Sequence, residues 1–121
     1  MASWLDNTLE AASADIEVDM VGVGLIGEDG KEVQSVMCRP ISAAEYQVLK
    51  SDPELKGLSD QDKQEMLGLK MCYEMLRKCD SELTWGKFKT LPLMLIGEIA
   101  TQVVKAAGTP TLDGGGVLGE L

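Results

Sequence analysis

The chain has 121 residues, 45% of them hydrophobic but only five aromatic, so it can bury one aliphatic, Met-rich core of single-domain size. Eleven bases against twenty acids leave a net charge of −9, which excludes the basic footprint of a nucleic-acid binder and disfavours an anionic membrane surface. Histidine is missing, and with it the commonest general base and metal ligand and any Ser-His-Asp or Cys-His arrangement.

Residues 1–15 read as a mobile N-terminal segment or a marginal helix, with Ser3 as cap, Asp6 in the first turn and a weak apolar side of Trp4, Leu5 and Leu9. From Ile16 the pattern alternates through Val18 and Met20, turns at Asp29-Gly30 and returns through Val33 and Val36, which predicts a β-hairpin over residues 16–38. Gly22 and Gly24 weaken its first strand. They do not mark a dinucleotide site, because no helix follows. A lone hairpin is marginal in water, so this one needs helices or another subunit to pack on.

Arg39-Pro40 ends the hairpin. Ser42 and Glu45 form a capping box for a helix running to about Lys50, with Tyr46 and Leu49 on one side. Asp52-Pro53-Glu54 starts a short turn closed by Gly57. Ser59 opens a long helix that reaches Lys78 or Cys79. Met66, Leu69, Tyr73 and Leu76 make one stripe on it, and Leu67, Met71 and Met75 make a second, with Cys72 between them. Two stripes call for cover on two sides, which predicts a homo-oligomer. Trp85 and Phe88, in one helical turn or a loop, plug the junction to the last helix. That helix spans Leu93–Ala107, with Pro92 at its start and Gly108 as its stop. Leu95, Ile96, Ile99, Val103 and Val104 share one side, widened by Leu93 and Ala100.

The expected fold is α+β and mainly helical, an N-terminal β-hairpin followed by three to four helices. Residues 16–107 form a single domain, and 108–121 a flexible Gly-rich tail. Acids concentrate at the ends: residues 1–32 hold eight against Lys31, whereas 33–107 balance ten of each sign. Three cysteines without histidine cannot complete a zinc site, and an odd count with no basic leader points to a reducing cytosol. No apolar run is long enough to span a membrane. The carboxylate pairs Asp60/Asp62 and Glu28/Asp29 lie at a helix start and a turn, where structural roles suffice. The expectation is therefore a non-enzymatic protein with no catalytic residue, cofactor or metal.

The hairpin leads into Arg39-Pro40-Ile41-Ser42-Ala43-Ala44-Glu45-Tyr46. A central helix then ends in Leu76-Arg77-Lys78-Cys79-Asp80, followed by Leu83-Thr84-Trp85-Gly86-Lys87-Phe88, then Leu91-Pro92 and a terminal apolar helix. Over roughly residues 18–107 this order resembles the tail assembly chaperones of long-tailed, lambda-like bacteriophages. The resemblance implies a late protein of the host cytoplasm that holds the tape measure protein soluble during tail assembly and is absent from the mature virion. It also implies recruitment of tail tube protein through a longer, frameshifted form. Coating an apolar helical partner calls for Met and Leu between amphipathic helices, and the candidates are Met66, Leu67, Met71, Met75, Leu95 and Ile99. The alternatives are a structural virion component, such as a head–tail connector or minor tail protein, and a small acidic regulator that mimics nucleic-acid charge.

Overall fold

The computed structural model describes residues 3–107, with the Ser3 side chain left aside. It is a mainly helical α+β chain in which a two-stranded hairpin is followed by four α-helices. Helix α1 (Ser3–Ala12) comes first. Strand β1 (Ile16–Asp19) then pairs antiparallel with β2 (Ser35–Cys38), with Ile16 opposite Cys38 and Val18 opposite Val36. Helix α2 (Ala43–Lys50) and a 3-10 turn (Pro53–Leu55) lead to the long helix α3 (Asp60–Arg77). The short α4 (Trp85–Phe88) and the terminal α5 (Leu93–Ala107) complete the order. The expected Gly108 stop and the tail 108–121 lie outside the described residues.

The caps act where their residue types demand. Ser42 Oγ accepts the Glu45 N–H at 3.1 Å, and Glu45 Oε1 accepts the Ser42 N–H at 2.7 Å, which satisfies two orphan donors of α2. Ser59 Oγ accepts from the Asp62 N–H at the start of α3, and Thr84 Oγ1 accepts from the Lys87 N–H at the start of α4. Asp52 Oδ1 accepts the Glu54 N–H while Pro53 takes the first position of the 3-10 turn. One boundary differs from the sequence reading: α3 ends at Arg77, so Cys79 lies past it.

The hairpin is shorter than its alternation suggests. Regular pairing stops at Asp19 and Ser35, and beyond it there is an isolated bridge between Ile26 and Glu32. Gly22 and Gly24 sit at φ of 84° and 95°, values that a strand does not adopt, so the chain leaves the ladder there. The Gly22 N–H donates to the Glu32 carboxylate instead, at 3.0 Å. Val18, Met20 and Cys38 are fully buried, while Glu17, Asp19 and Met37 face outward. β1 packs on α5 and β2 on α3, so helices of the same chain supply the cover that a lone hairpin needs. The core joins Val18, Met20 and Cys38 to Cys72, Tyr73 and Leu76 of α3, Phe88 of α4, and Ile96, Ile99 and Val103 of α5. Each large side chain of this set contributes roughly 1.5–3 kcal/mol by leaving water.

Candidate protein-partner surface

Two helices leave a groove between them. Gly68, Met71, Cys72 and Met75 follow one another at i, i+3, i+4 and i+7 on α3, so they share a face. Leu93, Ala100, Val103 and Val104 of α5 form the facing wall. The groove holds about 510 Å³, and Gln64 and Glu65 supply its polar end. Its floor is open at Gly68, where a Cβ would meet nothing within 4 Å. Leu93 is 77% exposed, which is unusual for leucine in an apolar helix and leaves a large side chain without cover. Such a trough of Met, Leu, Val and Ala suits one face of an amphipathic helix, since methionine adapts its shape to the knob it receives.

A charged clamp fixes the opposite side of α3. Lys70 lies about 160° round the helix from Gly68 and is only 5% exposed. Its Nζ is 2.8 Å from Asp52 Oδ2 and 2.9 Å from Glu54 Oε1, and 4.5 Å from the centre of the Trp85 ring. Trp85 Nε1 donates to Glu54 Oε1 at 2.9 Å. One ammonium thus ties the 3-10 turn and α4 to α3. Burial alone opposes the Lys70 charge, but the two carboxylates outweigh it and hold its pKa above the ordinary 10.5. The hydrogen bond from Lys70, then the Glu54 N–H, hold Asp52 below its ordinary 3.8; the Lys70 hydrogen bond likewise holds Glu54 below 4.5. A second cation, Lys78, donates to Pro40 O at 2.8 Å and Glu45 Oε1 at 2.6 Å, which joins the end of α3 to the start of α2.

A depressed carboxylate contributes stability that is present above its unfolded pKa and lost as pH falls through the folded one. The stability difference between wild type and Lys70→Met should therefore be constant near neutrality and shrink below the ordinary 3.8 and 4.5 of Asp52 and Glu54. Urea midpoints of both proteins between pH 7 and 3 provide the check. A gap that persists undiminished at the acid end contradicts the clamp.

No family model, curated protein or solved structure matches the chain. The groove must therefore be judged on its own geometry.

Of the six side chains proposed from the sequence, the structure brings together two. Met71 and Met75 line the α3–α5 groove. Leu67 points into a neighbouring cleft beside α2 and the 3-10 turn. Met66 is half-buried and lines neither of these two hollows. Ile99 is a correction: at 4% exposure it belongs to the core beneath the hairpin, not to an accessible face. Leu95 is half-buried against that core on a different side of α5 from the groove. The α5 wall is Leu93, Ala100 and Val104 instead, flanked by Val103. Their signal in the sequence is the i, i+7, i+11 spacing of Leu93, Ala100 and Val104, which a wider apolar stripe had absorbed.

Two of the three cysteines, Cys38 and Cys72, are buried and offer no reactive thiolate. Burial raises Cys38 and pushes Cys72 up to about 12, which keeps both protonated as small apolar side chains.

Proposed function

We propose that this chain is a non-enzymatic tail assembly chaperone of a long-tailed bacteriophage, and that it receives an apolar helical segment of the tape measure protein in the α3–α5 groove. The observation that carries the proposal is the groove itself: two methionines and a leucine, partly or largely exposed, face one another across an opening of helix-binding character. The element order from the capped Pro40–Tyr46 segment to Leu91-Pro92 supports the same family reading. An acidic surface on β1 and the following turn, where Glu17, Asp19, Glu28, Asp29 and Glu32 are exposed, would keep such a complex soluble while tail tube subunits arrive. On this reading the protein works in the host cytoplasm, a longer frameshifted form recruits the tube protein, and neither remains in the virion.

Co-expression with fragments of the tape measure protein, followed by mass spectrometry of purified particles, tests the proposal. A chaperone co-purifies with at least one fragment and is missing from the particle. Stoichiometric recovery from the particle would instead identify a connector or minor tail protein. Capture of a nucleic-acid-binding protein that is lost steeply with added salt would identify a charge mimic.

A further inference from the structure

Helix α1 and the cleft beside α2 fit one another in chemistry, and among the described residues neither is covered. On α1, Trp4 is 70% exposed, Leu9 54% and Leu5 42%, and these three lie within one apolar arc of the helix. Asp6 and Glu10, one turn apart, flank that arc. The cleft is formed by Tyr46 of α2, Leu55 of the 3-10 turn and Leu67 of α3, and holds about 490 Å³. Lys50, Lys56 and Lys63 stand round it, all exposed, and among the described residues none of the three is in an ion pair. Of the two acids that also line it, Asp52 is committed to Lys70, which leaves Asp60 against three lysines.

We propose that α1 of a second copy of this chain docks in this cleft, with Trp4 and Leu9 on Tyr46, Leu55 and Leu67, and with Asp6 and Glu10 facing the lysine rim. Charge complementarity selects the occupant: an acidic helix with an aromatic anchor matches an apolar trough rimmed by bases. The α1 of the same chain does not line this cleft. Asp15, three residues past its end, is paired with Arg39 at 2.7 Å. Reciprocal exchange between two chains covers both helices and both clefts at once and closes with two-fold symmetry. This contact lies round α3 from the α3–α5 groove, with Gln64 on the border of both.

A charge-swap mixing experiment tests it on the full chain by light scattering. Asp6→Lys/Glu10→Lys and Lys50→Glu/Lys56→Glu/Lys63→Glu should each weaken self-association by at least about tenfold, with the monomer still folded because all five side chains are exposed. Mixed one to one, they should recover a species of twice the 13.0 kDa chain mass, since each variant's arm then matches the other's cleft. Trp4→Glu/Leu9→Glu should be monomeric. Wild type that is monomeric throughout, a Trp4→Glu/Leu9→Glu chain that still dimerises, or a mixture that stays at the single-chain mass would each overturn the proposal. The last two results would mean, respectively, association through another surface and a fold-back of α1 onto its own chain.

Discussion

Replacing Phe88 with alanine should cost about 3–5 kcal/mol, the largest stability loss expected from any single substitution in this chain. Phe88 is 2% exposed although it sits on a helix of only four residues. That helix cannot hold itself together; Thr84 caps it and the aromatic cluster anchors it. The Phe88 ring lies 5.8 Å from Tyr73 and 6.2 Å from Trp85, and Tyr73 lies 5.6 Å from Trp85. Each such pair adds about 0.5–1.5 kcal/mol beyond area burial. Truncation therefore empties the point where α3, α4 and α5 meet, and removes a large part of the 5–15 kcal/mol typical of a domain. Urea unfolding of Phe88→Ala and Phe88→Leu measures it. The leucine variant should lose less than half as much, because it refills most of the volume. A loss below about 1 kcal/mol for Phe88→Ala would mean that the junction closes without the ring.

Met71→Glu should weaken binding of a tape measure helix by roughly a hundredfold or more, because a carboxylate in the groove must lose water with no base to meet it. Met71 is half-buried and stands outside the core cluster, so the free protein should stay folded. Met75 is the poorer choice, since it also packs against the core. Gly68→Leu separates folding from binding more sharply. Gly68 lies in the interior of α3, where a leucine adds about 0.5–1 kcal/mol of helix stability, and its Cβ has open space. The same side chain would occupy the groove. The expected result is a more stable protein that no longer binds, read from thermal melts and isothermal titration of the same preparations. A Gly68→Leu chain that binds as tightly as wild type would move the partner to another face.

Local chemistry was the legible part of this sequence. The Ser42–Glu45 box, the Ser59 cap and the Asp52-Pro53 start are short-range devices, and each forms where its residues stand. The hairpin was legible in its alternation, but its length was not, since the positive φ of Gly22 and Gly24 ends the ladder early. The clamp was illegible for a physical reason. Lys70 meets Asp52, Glu54 and Trp85 only after the 3-10 turn and α4 fold onto α3. Its one local trace is a base standing between Met66 and Tyr73 in an otherwise apolar stripe. The partner face was half legible. Helix α5 is apolar on most of its circumference, so periodicity alone could not separate Ile96, Ile99 and Val103, which enter the core, from Leu93 and Val104, which stay exposed.

The central claim is that the α3–α5 groove receives an apolar helix, and methionine methyl NMR tests it most directly. The chain carries seven methionines. On addition of a peptide from the tape measure protein, the Met71 and Met75 methyl signals should shift strongly, while that of Met20, fully buried beneath the hairpin, should stay in place. Shifts confined to Met37, on the outer face of the hairpin, or no shift at saturating peptide, would contradict the account.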